Sequence, residues 1–173
     1  IEQGTPYYLS FINRFPSVQK LAAASTDEVL RYWQGLGYYS RARNVHKPAR
    51  HIVDDLNGVF PLSYDDLLTL PGVGPYSAAA IASFAYGLPY PVVDGNVKRV
   101  IARFSGITSS IDDASVHDQI RQIASGFMKG SSPGEFNQAI MNFGAIVCKP
   151  KNPGCATCPL STRCYALQHS MVS

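Results

Sequence analysis

The chain has 173 residues, 46% of them hydrophobic, with a formal net charge of +3; that composition fits a globular protein with one good core or two small ones and excludes a disordered chain. No run of about 18 uninterrupted apolar residues occurs, so no membrane-spanning helix is expected. A basic leader with an apolar run and cleavage site is also lacking, and the chain opens at Ile1, so a fragment or processed product is expected.

The charge is unevenly placed. Through Tyr90 there are seven Lys/Arg and seven Asp/Glu, and beyond it eight and five. The periodicity is helical almost throughout. Ser25 to Glu28 has capping-box spacing and leads into Val29, Leu30 and Trp33, with Trp33 read as core. No acidic residue lies between Glu28 and Asp54, while Arg31, Arg41, Arg43, Lys47 and Arg50 fall in that window; such a run suits a polyanion or a solvated helix face. Within it, Leu36, Tyr38 and Tyr39 form a loop with Gly35 and Gly37. An exposed leucine or aromatic there can fill a gap in a base stack while Arg41 and Arg43 hold phosphates. Tyr38 is the candidate for that contact, and Tyr39 is expected to pack between helices.

Ser63 to Asp66 repeats the capping box ahead of Leu67, Leu68 and Leu70. Leu70-Pro71-Gly72-Val73-Gly74-Pro75-Tyr76 is then a tight turn between helices. Its glycines leave backbone amides unobstructed at a helix start, which is a ready anion site as well as a common helix connector. Ser77 to Ala85 reads as an alanine-rich helix stopped by Gly87. Pro89 to Val93 and Ile107 to Ile111 are short strand candidates hemmed by Pro, Gly or Ser, and are read as loops. Asp94 precedes a helix in which Val97, Val100, Ile101 and Phe104 share one face, with Lys98, Arg99 and Arg103 largely off it. By position Asp94 is an N-cap; a carboxylate facing a cleft could also stabilise positive charge developing on a sugar, and the two roles can coexist. A third capping box, Ser115 to Asp118, is expected to open a helix with Ile120, Ile123 and Phe127. Phe136, Ile140 and Phe143 mark another helix, ending near Gly144.

All four cysteines are confined to Cys148, Cys155, Cys158 and Cys164, spaced C-x6-C-x2-C-x5-C. Two disulfides would need an oxidising compartment, which no leader supports. Four thiolates can hold zinc or a [4Fe–4S] cluster, and spacing alone does not choose. Lys149, Lys151 and Arg163 beside them could present cations to phosphates. His46, His51, His117 and His169 have no ligand spacing to the cysteines and receive no role.

Several of these segments, in this order, resemble one family. LPGVGPYSAAAI is similar to the helix-hairpin-helix of endonuclease III and MutY-type DNA glycosylases, VVDGNVKRV to their catalytic-aspartate segment, and WQGLGYYSRARNVHK to a DNA-facing segment of MutY-type enzymes. The cysteine spacing matches that superfamily's iron–sulfur loop. The resemblance implies an all-α fold of two helical lobes with a DNA cleft between them: residues 1–90 a helical-barrel lobe bearing the hairpin and truncated at its N-terminus, residues 91–173 an iron–sulfur lobe. It implies a structural [4Fe–4S] cluster on the four cysteines. Asp94, Tyr76 and Asn96 are the implied catalytic residues, and Leu36, Tyr38, Arg41, Arg43, Gly72, Val73, Gly74, Lys98, Lys149 and Lys151 the implied DNA contacts.

Tyr76 stands where bifunctional relatives carry a nucleophilic lysine. A phenol forms no Schiff base, so hydrolysis without lyase chemistry is expected. The implied reaction is release of adenine mispaired with 8-oxoguanine or guanine, by a monomer acting on mismatched double-stranded DNA with no membrane partner. The implied location is intracellular, in the cytoplasm or nucleoid if bacterial. Adenine leaves poorly unless protonated. In MutY-type enzymes the glutamate that serves lies upstream of a Gln-Gln-Thr segment, and Ile1-Glu2-Gln3-Gly4-Thr5 resembles the stretch just C-terminal to that segment. Glu2 is not that acid, so the 173-residue piece is expected to be inactive or strongly impaired. The opposite base, read by a further C-terminal domain in such enzymes, is not assigned. A thymine glycosylase for T/G mismatches, a non-catalytic hairpin module and a zinc-stabilised interaction domain are the alternatives.

Overall fold

The computed structural model describes residues 4–111 and 113–172. Ile1, Glu2 and Gln3, which open the segment compared with MutY-type enzymes, lie outside the described residues. Among the described residues all regular structure is helical, and no helix is long and apolar enough to cross a membrane. The chain parts into two compact units, residues 1–78 and 79–173.

In the first unit, α1 (Thr5–Arg14), α2 (Val18–Ala22) and α3 (Thr26–Tyr32) precede α4 (Tyr39–Asp54) and α5 (Tyr64–Thr69). Phe15, Leu21, Val29, Ala42 and Ala49 form its core, flanked by Phe11 and Trp33, whose rings meet edge to face. Ser25 and Ser63 are N-caps as expected, Ser25 Oγ accepting from the Glu28 amide at 3.2 Å and Ser63 Oγ from the Asp66 amide at 3.1 Å, while the Glu28 carboxylate pairs with Arg14. Each such cap contributes about 1 kcal/mol. Sequence periodicity marks no helix at α1, α2 or α4. The last is masked by its composition: it is rich in Arg, Lys, His and Asn and carries Pro48 inside it. Its buried face, Ala42, His46, Pro48, Ala49 and Ile52, is made largely of small or polar residues.

Helix α6 (Pro75–Tyr86) spans the division between the units, and α7 (Gly95–Ser105), α8 (Ala114–Met128), α9 (Pro133–Ile146) and α10 (Tyr165–Gln168) build the second. Val97, Ile101, Val116, Ile120 and Ala124 form its core. Both segments read as loops, residues 89–93 and 107–111, carry no strand. One expectation needs correction. The Ser115–Asp118 box does not form, because α8 starts earlier. Asp113 is the N-cap, its carbonyl takes the His117 amide, and Asp118 pairs with Arg121 instead.

Helix α9 ends at Ile146, near Gly144 as expected. Gly144 lies buried within its last turn, and a Cβ there would stand 2.7 Å from Asn96 Cβ and 3.0 Å from the Asn96 carbonyl oxygen. The helices α7 and α9 meet so closely that only glycine fits.

One buried side chain ties this unit together. Asn137 on α9 is wholly inaccessible; its Oδ1 accepts from the Val92 amide at 3.0 Å, while its Nδ2 donates to Ser83 Oγ at 2.9 Å and to the Tyr90 carbonyl at 3.0 Å. It therefore holds α6, α9 and the strandless segment leading to Asp94 in one hydrogen-bonded knot. Replacing Asn137 with Ala takes the partner from the buried Val92 amide and removes bonds to Ser83 and Tyr90, and we expect a loss of about 1–3 kcal/mol in urea unfolding of the intact protein. Gly144→Ala is expected to cost about 1–3 kcal/mol through overpacking. An unchanged unfolding midpoint in either variant would contradict the packing described.

Candidate functional site

The hairpin is built by α5, the turn after it and the start of α6. The Val73 amide returns to the Leu70 carbonyl at 3.0 Å, and Ala78 begins the α6 ladder on the Gly74 carbonyl at 2.9 Å. Gly72 has φ +86°, and a Cβ on it would meet the Asn44 side chain at 3.2 Å and Asn44 Cα at 3.3 Å. Backbone conformation and the close approach of α4 thus both demand glycine. Pro71, Gly72 and Gly74 are exposed and Val73 is half-buried, so the turn is presented to solvent where a helix start concentrates N–H groups and partial positive charge. Tyr76, at the second position of α6, is 48% exposed. It is not a core aromatic beneath the turn.

Tyr38 is the N-cap of α4 and sits in the left-handed region at φ 48°, a conformation that costs a non-glycine residue of order 1 kcal/mol. It is 79% exposed. The Trp33 indole N–H donates to the Gly37 carbonyl at 3.1 Å and pins the loop from behind. The Arg41 guanidinium lies 5.2 Å from the Tyr38 ring centroid and 5.9 Å from that of Trp33, stacking on both faces offered to it. Leu36 is half-buried and Arg43 exposed. Tyr39, expected between helices, is instead 43% exposed, because α4 begins there and turns it outward.

In the second unit Asp94 caps α7 as its position suggests. Its Oδ1 accepts from the Val97 amide at 2.8 Å and its Oδ2 from Asn96 Nδ2 at 3.1 Å, so both oxygens are held while the residue stays half-buried. Asn96 is oriented in turn. Arg99 Nη2 donates to Asn96 Oδ1 at 2.8 Å and to the Gly144 carbonyl at 2.7 Å, and Arg99 Nε to the Cys148 carbonyl at 2.8 Å. The Lys98 ammonium is bonded to His117 Nε2 and to the Ile111 carbonyl at 3.3 Å, which ties it to the loop and helix beyond α7.

One turn further along α7, Arg103 donates to the Lys149 carbonyl at 2.7 Å, the Pro150 carbonyl at 3.2 Å and the Val172 carbonyl at 2.8 Å. Sequence reading sets Arg99 and Arg103 aside as off the apolar face. Both are half-buried scaffold, each satisfying several carbonyls. The signal available for this is their four-residue spacing on α7.

All four cysteines line one small cavity of about 30 Å³ together with Arg103, Val147, Pro153 and Leu167. None is in a disulfide, and each is half-buried. Burial pushes the Cys155 thiol up, the neighbouring Cys148, Cys158 and Cys164 push the same way, and Arg103 opposes them. Four thiols are thus close enough to feel one another. Among the described residues, however, no three His, Cys, Asp or Glu side chains are grouped to hold a single metal ion. Four thiols lining one cavity are a donor set that zinc and a [4Fe–4S] cluster can both use. Lys149, Lys151 and Arg163 are exposed beside it.

The chain as a whole is similar to known proteins. Residues 1–125 match the family described as HhH-GPD superfamily base excision DNA repair protein. The chain is 37% identical over 166 residues to the adenine DNA glycosylase of Buchnera aphidicola subsp. Schizaphis graminum, covering 96% of this chain and 48% of that protein. With the adenine DNA glycosylase of Homo sapiens it shares 44% identity over 163 residues, or 94% of this chain and 30% of that protein. It therefore spans about half or less of the length of these curated relatives. A thermostable thymine-DNA glycosylase superposes with TM-score 0.86 at 28% identity, covering 96% of this chain and 76% of that one. Endonuclease III in a non-covalent complex with DNA gives TM-score 0.80 at 25% identity, covering 97% and 77%. With an all-helical architecture, a glycine hairpin seated on α4 and a family match over most of its length, the chain belongs to the HhH-GPD superfamily of base excision DNA repair proteins.

Proposed function

We propose that this chain is the core of an adenine DNA glycosylase, which hydrolyses the N-glycosidic bond of adenine mispaired with 8-oxoguanine or guanine in double-stranded DNA. The observation that carries the reading is Asp94: a carboxylate fixed at both oxygens by the first turn of its own helix, with Asn96 locked behind it by Arg99. Such a carboxylate is preorganised. It costs no reorganisation when the departing base leaves positive charge on the sugar, and that is where electrostatic stabilisation has most effect. Tyr76 offers no amine at the hairpin, so water is the nucleophile and no lyase step ensues. The proton donor to the departing purine is assigned to none of the described residues.

The hairpin amides, Tyr38, Leu36, Arg41, Arg43 and Lys98 are the elements proposed to grip the duplex, with Lys149 and Lys151 holding phosphates beside the cysteine loop. Extrusion of the adenosine costs a few kcal/mol, and Tyr38 or Leu36 filling the stack offsets part of it. Curated adenine DNA glycosylases at 37% and 44% identity favour adenine over thymine as the base removed. The protein is read as an intracellular monomer.

The four cysteines are assigned to a [4Fe–4S] cluster, which when bound crosslinks the loop through iron–thiolate bonds. The chain's own contribution is the frame: Arg99 and Arg103 fasten the Cys148–Pro150 backbone to α7, next to the helix start that holds Asp94.

In the intact enzyme, Asp94→Asn should bind an A·8-oxoguanine duplex nearly as well as wild type, while single-turnover excision falls by at least about 100-fold. Near-wild-type excision by that variant would rule out the role given to Asp94. Parallel assays on A opposite 8-oxoguanine and T opposite G should show release of adenine alone; preferential release of thymine would move the protein to the other branch. The purified protein should be brown and contain iron. A colourless, zinc-containing protein would overturn the cluster assignment.

A further inference from the structure

Helix α4 carries a row of cations of which the proposed DNA contacts use only the first. Arg43, Lys47 and Arg50 recur at four- and three-residue intervals and are exposed, so they share one face of the helix. The row rises about 10 Å along the axis at 1.5 Å per residue. The ion pairs among the described residues, Arg14–Glu28, His51–Asp55 and Arg121–Asp118, use none of the three. Like charges at this spacing oppose helix formation slightly, so the row is a small local cost with no compensating ion pair among the described residues. The helix's other face is committed to the core through Ala42, His46, Ala49 and Ile52.

The row also adjoins the hairpin. Gly72 closes on Asn44, and Asn44 is the neighbour of Arg43 and lies one turn before Lys47. Amides at the turn and cations on α4 therefore form one continuous electropositive surface within the first unit.

We propose that Lys47 and Arg50, continuing from Arg43, are a second phosphate track that receives the backbone of duplex DNA beyond the hairpin and lengthens the footprint on one strand. The occupant is a nucleic-acid backbone rather than an acidic protein. From Arg43 to Arg50 the row is cationic and has no apolar anchor on its face, and the acidic Asp54 comes only at the last position of the helix. A strand of duplex DNA presents a phosphate about every 3.4 Å of axis, so about 10 Å spans roughly three. A protein partner would need a buried apolar or aromatic centre, which this stretch does not supply. The inference rests on the DNA-binding reading of the proposed function.

The test is the salt dependence of binding of the full chain to an undamaged duplex of about 20 base pairs or more, for wild type and for Lys47→Gln/Arg50→Gln. Each phosphate neutralised contributes about 0.9 to the slope of log K against log salt, so the double variant should lose nearly 2. The loss should be equal on matched and mismatched duplexes, and the charge-preserving Lys47→Arg/Arg50→Lys should keep the slope. An unchanged slope in a folded double variant overturns the track while leaving DNA binding intact. Should the double variant unfold, Lys47→Gln and Arg50→Gln singly read the same quantity at about 0.9 each. A wild-type chain that binds no duplex at all removes both this inference and the DNA-binding reading beneath it.

Discussion

The seam between α7 and α9, where Gly144 admits Asn96 with no side chain between them, sets the positions of Asn96, Arg99 and Asp94 in the second unit. Because the helices touch backbone to side chain there, the Gly144 carbonyl comes within reach of Arg99. A single guanidinium can then bond Asn96, Gly144 and Cys148 at once. Its planar fork, with five N–H donors and no option to lose its charge, suits this task in a way lysine would not. A wider separation would strand the arginine, release Asn96 and leave one oxygen of Asp94 unheld. Asn137, two turns earlier on the same helix, does the matching work on the other side by fixing Val92 and Tyr90 ahead of Asp94.

In the first unit the corresponding constraint is Gly72 against Asn44. The hairpin is a short turn with little of its own to hold it rigid, and it gains definition by resting on a long helix already anchored in the core. Helix α4 thereby has two loyalties. One face packs inward through small side chains, and the other presents cations and begins with Tyr38 thrust into solvent over Arg41. Pro48 has no N–H for the Asn44 carbonyl, so even the helix ladder is interrupted where the hairpin docks.

Much of this arrangement is legible from residue order. The caps at Ser25 and Ser63 and the N-cap at Asp94 depend only on a side chain reaching an amide three residues on, so local spacing reveals them. The glycine hairpin, the exposed Tyr38 and the cysteine grouping are likewise local patterns. The features that local reading misses have a common cause. Helix α4 hides behind polar composition. The deepest positions of α9 are an asparagine and a glycine, while Phe136, Ile140 and Phe143, which suggest the helix, are only half-buried. Hydrophobic periodicity reports apolar positions, so it finds α9 but not the asparagine and glycine at its deepest points, and it does not mark α4.

Residue order alone carries the helical class, the caps at Ser25, Ser63 and Asp94, the glycine turn and the residue types available for chemistry, because each depends on backbone preference within a few residues. Which arginines are surface cations and which are struts is settled by packing in three dimensions. Arg43 and Arg103 are the same residue on amphipathic helices, yet one faces water and the other satisfies three carbonyls from distant parts of the chain. That difference is set by the neighbours a side chain meets across about 46 to 69 positions of sequence, and no local pattern encodes them.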